Sequence, residues 1–398
     1  MIKRNQILKT YGTDYKDMTV RLLGVSDLAA VIRNRCEESG MAADPHDACI
    51  GIKPNLVVPS PAEFGGTTHT EVVAGIIEYL QAEGFGNLLI AEGSWVGDRT
   101  AEAYEYCGYR QLCERYGVPF VDTQKERSHE VDCGGMRLKV VDTVDRIDFL
   151  INVPVMKGHC QTLMTCALKN LKGLLPNPEK SRFHRMGLHK PIAHLQKGIR
   201  QDFIVVDHIC GDLDFEEGGN PVVRNCVMTA LDPVLVDSYA CHLMGYTPDD
   251  VPYVRMAEQL GIGTADLSQA EILHVGRGTA NGAPDSASTG TEVQADLETD
   301  EELPRSRRVL DVAYAVEEVD SCSACYANLT GALIRLEEEG LLDQLDTQIG
   351  IGQGMQEKTG RLGVGRCTQN FDVCIMGCPP SSDKIYEGLR KYILEGAD

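Results

Sequence analysis

The order of apolar patterns between Ala48 and Val121 constrains the fold more than any other feature. Three short apolar runs, at 48–57, 87–91 and 118–121, alternate with longer stretches, 70–82 and 101–116, whose apolar residues recur at helical spacing. Strands apolar at successive positions are buried on both faces, and crossovers of helix length join neighbours in parallel. The pattern predicts an α/β fold, a mostly parallel sheet with helices on both faces. Further strands are expected at 149–154, 203–207 and 225–229, followed by a helix from Pro233 to about Met244. Lys53, Asn55, Glu92 and Asp122 fall at or just after strand ends, the edge where open α/β sheets bind ligands.

The strand at 149–154 runs into Lys157, Gly158 and His159, and then into Lys169-Asn170-Leu171-Lys172-Gly173. Leu163, Cys166, Ala167 and Leu171 keep helical spacing, with Gly173 as the expected stop. Lysines there serve a helix C-terminus as capping cations. Lys157 and His159, preceding the helix, are equally placed for an anion that also meets helix N–H groups. Between Lys169 and Arg200 eight Lys or Arg stand against one acid, Glu179, in a chain of net charge −21. Such a patch attracts a negative partner: a substrate, an acidic ferredoxin or a second subunit of a homo-dimer. His184, His189 and His194 recur at a spacing of five, which does not share a helical face as metal ligands would. The expected catalytic residues are His159, as a general acid, with Lys157 and Lys169. Lys53, Asn55, Asn170, His184 and Arg185 are expected to bind substrate. The acidic, glycine-rich stretch 211–221 matches no calcium loop and is expected to be solvated.

Residues 276–305 turn to Gly, Ser, Thr, Asp and Glu, a composition that predicts a linker between a domain at 1–275 and a smaller α/β domain at 306–398. Strands are expected there at 308–313, 345–351, 361–365 and 371–376, and helices at 326–339 and 382–394. This second unit carries Cys322, Cys325, Cys367, Cys374 and Cys378, the last followed by two prolines. Two thiols at CxxC spacing grip one metal centre, and a Cys-Pro step commonly supplies the last ligand of an iron–sulfur cluster. Cys322, Cys325, Cys367 and Cys378 are therefore the expected ligands of a [4Fe–4S] cluster, with Cys374 in an apolar run as a buried thiol. A four-cysteine zinc site would use the same residues but favours two compact pairs. The glycine loop 350–354 is short enough to pack against a cluster or a flavin, and points to neither.

The net charge argues against nucleic acid, and no apolar stretch reaches the length of a membrane span. The first residues lack the apolar core of a secretory signal. With fifteen cysteines, the expectation is a reducing cytoplasm, most easily that of an anaerobe.

Lys157, His159 and Lys169-Asn170-Leu171-Lys172-Gly173, with Ile52-Lys53-Pro54-Asn55-Leu56, Thr67–Val73 and Asp232-Pro233-Val234-Leu235-Val236-Asp237, closely resemble the family called domain of unknown function 362, over roughly 48–276. The resemblance implies the α/β fold and iron–sulfur cysteines, although members commonly carry those in a tighter ferredoxin-like run. Gly377-Cys378-Pro379-Pro380 resembles the proximal-cluster segment of hydrogenase and respiratory-complex small subunits. The function expected is an iron–sulfur oxidoreductase acting on a small anionic substrate, with a ferredoxin-like donor. The alternatives are an electron-transfer or maturation protein without a substrate, and a non-redox isomerase or hydrolase whose cluster is structural.

Overall fold

Residues 51 and 147 show how closely the main sheet is covered: a Cβ on Gly51 would lie 2.5 Å from the Ile147 side chain. The computed structural model describes residues 1–40, 44–277, 291–295 and 308–395. Its larger sheet has the strand order Thr291–Ala295, Glu271–Arg277, Gln6–Tyr11, Pro221–Ala230, Phe203–Asp212, Phe149–Asn152, Ile50–Lys53, Leu88–Glu92 and Phe120–Asp122. From Phe203–Asp212 to Phe120–Asp122 all pairings are parallel, and Pro221–Ala230 is antiparallel to both its neighbours. The central strands Phe149–Asn152, Ile50–Lys53 and Leu88–Glu92 are buried at every position, their side chains alternating between the two faces. Ile50, Ile52, Ile90 and Ile151 pack with Leu22, Ile76 and Leu80 on one side. Leu89, Leu150, Ile204 and Val206 pack with Leu171, Leu195 and Leu235 on the other. The mostly parallel sheet with helices on both faces stands as expected.

The smaller sheet is wholly parallel and follows chain order: Val316–Glu318, Ile349–Ile351, Leu362–Val364 and Val373–Ile375. Helices Ser323–Glu338 and Ser382–Glu395 bury Leu329, Leu333, Ile385 and Leu389 in its core.

Several local expectations change. Residues 308–312 form a helix, because Val309 and Val312 are buried three apart while Leu310 is exposed. The stretch 101–116 is two helices, Thr100–Tyr106 and Tyr109–Tyr116, broken where Gly108 takes a φ of 79°. Leu163 belongs to a hairpin, Lys157–His159 with Leu163–Thr165, and the helix that follows is only Ala167–Asn170. Thr291–Ala295 pairs antiparallel with Glu271–Arg277, inside the stretch expected to be linker. Most of the remaining expected linker lies outside the described residues.

Candidate functional site

Adjacent strands end at Lys53 and Glu92, whose side chains form a buried ion pair. Lys53 also donates to the Pro54 carbonyl at 2.7 Å. Burial pushes its pKa down, and Glu92 opposes the shift. Over this pair lies Gly173, where a Cβ would come 2.1 Å from Glu92 Oε2 and 2.7 Å from Lys53 Cε. That close approach is why the run after Lys172 must be glycine.

Lys157 is fully buried, and its ammonium donates to Asn55 Oδ1 at 3.0 Å, Glu216 O at 2.6 Å and Gly66 O. Three acceptors exhaust an ammonium's three protons. Burial lowers its pKa to about 7. It ties three segments together and presents no proton to a ligand. Because an ammonium cannot accept, the Asn55 atom facing it must be the carbonyl oxygen, which fixes the polarity of a chain of amides. Asn55 Nδ2 donates to Asn170 Oδ1 at 2.9 Å, Asn170 Nδ2 to Asn152 Oδ1 at 2.7 Å, and Asn152 Nδ2 to Gln201 Oε1 at 2.7 Å. Gln201 Nε2 then donates to Gln196 Oε1 at 2.8 Å. Asn55 and Asn170 are thus brought together as expected, held in one orientation.

The helix N-terminus expected to meet an anion is already occupied. Asp237, from the helix Pro233–Leu243, accepts from the Ala167 and Leu168 N–H groups at 2.7 and 3.2 Å. Burial raises its pKa to about 7, against the pull of those two N–H groups.

The acidic loop is folded inward rather than solvated. Asp212 accepts from the N–H groups of Asp214, Phe215 and Asn220 at 2.7, 2.9 and 2.8 Å, and this turn carries Glu216 into the site. Glu216 binds Lys169 at 2.5 Å and His159 Nε2 at 3.3 Å. His159 Nδ1 accepts from Gln161 N and Thr162 N at 3.0 and 3.1 Å, so the proton of the neutral ring sits on Nε2. Burial and then Lys169 lower its pKa to about 4. A ring held neutral in this way orients Glu216 and is a poor proton donor. Glu216 was not foreseen from the sequence. Its one signal was the density of acids in a segment immediately after a buried strand.

Glu92, Asn55, Asn170, Lys169, Lys172, Lys180, His184 and Glu216 border a cavity of about 70 Å³, closed on the far side by Cys322, Ser323 and Ala324 of the smaller unit. Lys180 donates to the Gly93 and Ser94 carbonyls, both at 2.8 Å. Lys172 differs. Among the described residues it has no hydrogen bond or ion pair; the Phe183 ring lies 6.0 Å from its ammonium, and the charges of Lys169, Glu216 and Lys180 act on it from farther off. Burial and then Lys169 lower its pKa to about 7. Thr165 Oγ1, 2% exposed as a residue, and His184 Nδ1 are also buried without partners among the described residues. Among the described residues, Lys172, Thr165 Oγ1 and His184 Nδ1 thus face this cavity without a hydrogen-bond partner; Glu92 Oε2 lacks one too but is ion-paired with Lys53. Arg185 is exposed and does not line it. The basic surplus of 169–200 largely turns inward or pairs, Arg182 with Glu179 and Arg200 with Asp202.

The second unit meets the first through Gln161, which donates to Ser321 O at 3.2 Å and Ser321 Oγ at 3.0 Å and accepts from Ser323 Oγ at 2.9 Å. Cys322 is the N-cap of the helix Ser323–Glu338, and no side chain caps that end. The charges of Cys367 and Cys378 act on Cys322, and those of Cys322, Cys378 and Cys367 act on Cys325, adding to burial in raising both thiols; Cys325 reaches about 12. Cys367 and Cys378, from two further turns, thus lie within electrostatic reach of Cys322 and Cys325. Cys374 faces Thr368 Oγ1 at 3.4 Å and the Gly365 carbonyl at 3.5 Å instead. Gln353 and Gln356 Nε2 donate to Cys322 and Cys367 at 3.6 and 3.7 Å. Among the described residues no three His, Cys, Asp or Glu side chains gather as the shell of one metal ion. The glycine loop packs on the turn before Cys322: a Cβ on Gly352 would lie 1.9 Å from the Val319 carbonyl oxygen. All fifteen cysteines are free of disulfides. No helix among the described residues is long and apolar enough to cross a membrane.

Residues 50–242 match the family described as "Domain of unknown function (DUF362)", which bears out the resemblance over most of its expected span. The "Thylakoid-associated protein sll1697" of Synechocystis sp. is 25% identical over 224 residues, which cover 53% of this chain and 67% of that protein. The lactate racemase apoprotein from Thermoanaerobacterium thermosaccharolyticum is 14% identical with a TM-score of 0.40, over 60% of this chain and 56% of that one. A protein from Thermotoga maritima is 11% identical with a TM-score of 0.32, over 61% of this chain and 59% of that one. The chain spans less than two thirds of either solved structure, and likenesses this loose carry no argument about chemistry.

Proposed function

We propose that this protein is an iron–sulfur oxidoreductase that binds a small anion in the cavity between its two units. One observation carries the reading: Lys172, Thr165 and His184, without hydrogen-bond partners among the described residues, line the same small cavity as Cys322. In it, the Lys172 ammonium neutralises the anion, while the Thr165 hydroxyl and the neutral His184 ring donate hydrogen bonds. Lys53, Lys169 and Lys180 hold the walls through their own partners and add positive potential at short range. Cys322, Cys325, Cys367 and Cys378 would hold a [4Fe–4S] cluster, and no flavin is needed. The donor set fits: thiols only, with two amide N–H groups aimed at sulfur and an uncapped helix N-terminus favouring negative charge. Such a cluster supplies single electrons. Exposed Cys378 marks the side where a ferredoxin-like donor would approach, in a reducing cytoplasm.

The test is purification without oxygen, followed by iron and sulfide analysis and a visible spectrum. About four irons per chain and broad absorption near ~400 nm are expected. A colourless protein with stoichiometric zinc would replace this reading with a structural metal site. Lys172→Ala should keep the iron and lose affinity for small anions.

A further inference from the structure

Behind His184 lies a second, larger chamber. It has a volume of about 550 Å³ and is lined by Cys160, His189, Met256, Asp320 and Tyr326 among others. His184, 8% exposed, is the one residue among those described that lines both spaces, and so stands between them. The outer chamber has a polar anchor of its own, since His189 Nδ1 is buried without a partner among the described residues. The His189 ring stacks on Tyr253 at 5.9 Å between centroids, which holds it in place. The rim carries Glu318 and Asp320 against Lys190, so it repels a second negative charge. The inner cavity of about 70 Å³ has room for a carboxylate-sized group and little more.

We propose that the substrate is an elongated monoacid, its anionic head beside Lys172 and Thr165 and its uncharged or cationic tail past His184 in the outer chamber. This rests on the reading that the inner cavity takes an anion. Apolar Met256 and Leu188 would cover the tail's methylenes, while the unpartnered His189 nitrogen and the acidic rim would meet a terminal hydroxyl or amine.

Calorimetry on the full chain, purified without oxygen, tests this with acetate, valerate, 5-aminovalerate and glutarate. Each buried methylene strengthens binding several-fold, so valerate and 5-aminovalerate should bind about tenfold or more tighter than acetate. Glutarate should gain nothing over acetate. Met256→Trp, which fills the outer chamber, should remove the gain and leave acetate unchanged. Lys190→Trp, at the exposed rim, makes the same test should the first variant not fold. Long acids no tighter than acetate, a gain surviving both variants, or glutarate matching 5-aminovalerate would overturn the elongated substrate while the anion site stood. Failure of every acid to bind, acetate included, would remove the anion site itself.

Discussion

The lysines of the site sort by what they touch. Lys157 has three acceptors and Lys180 two, whereas Lys172 has none among the described residues. Removing a cation that satisfies three buried acceptors strands them, at roughly 1–3 kcal/mol each before relaxation. Lys157→Met is thus expected to lower stability by about 3 kcal/mol or more, read by denaturant unfolding. Lys172→Met should leave stability within about 1 kcal/mol of the parent. Both lysines sit in the same conspicuous motif, and nothing in residue type or spacing separates them. Only the fold reveals that the first one's protons are already taken. Asn55 and Asn170 were legible because polar residues at strand ends have few other uses, whereas Glu216 depended on a turn that Asp212 builds. His69 makes a further prediction. Burial works against its charge, but Asp207, 2.9 Å away, overrides that and lifts the ring's pKa to about 11. A raised histidine adds stability in full below its unfolded value, about 6.5, and loses it as pH climbs toward 11. Melting temperature should therefore fall between pH 7 and 10, and much less so in Asp207→Asn.

Among the elements, the central strands were the most readable. Apolar residues at every position admit few alternatives to a strand covered on both sides, and their order forced parallel pairing. The hairpins Ser128–Asp132 with Arg137–Val141 and Lys157–His159 with Leu163–Thr165 were not read, since their short strands carry charged or mixed residues. The second hairpin matters more, because it holds His159 against the acidic loop. A Cβ on Gly158 would lie 2.1 Å from the Leu213 carbonyl, so hairpin and loop touch backbone to backbone. Gly173 works the same way between the short helix and the Lys53–Glu92 pair. Gly173→Ala is expected to cost about 1–3 kcal/mol by overpacking and to disturb that pair, visible as a lowered melting temperature with weakened anion binding.

For the molecule as a whole, the seam between the two sheets is where binding and stability meet. Gln161 reaches from the first unit to Ser321 and Ser323 of the second, directly beside the cavity wall formed by Cys322–Ala324. Gln161→Ala should lower affinity for anions several-fold while circular dichroism stays unchanged, because three hydrogen bonds worth about 1 kcal/mol each position that wall. This seam was illegible in the sequence: charge and cysteine content marked two separate centres, and only the packing joined them. The cysteine-bearing half is consequently not a portable module. Grafted onto another protein, it would carry its thiols along but leave behind the lysine, the threonine and the histidine that look back at them.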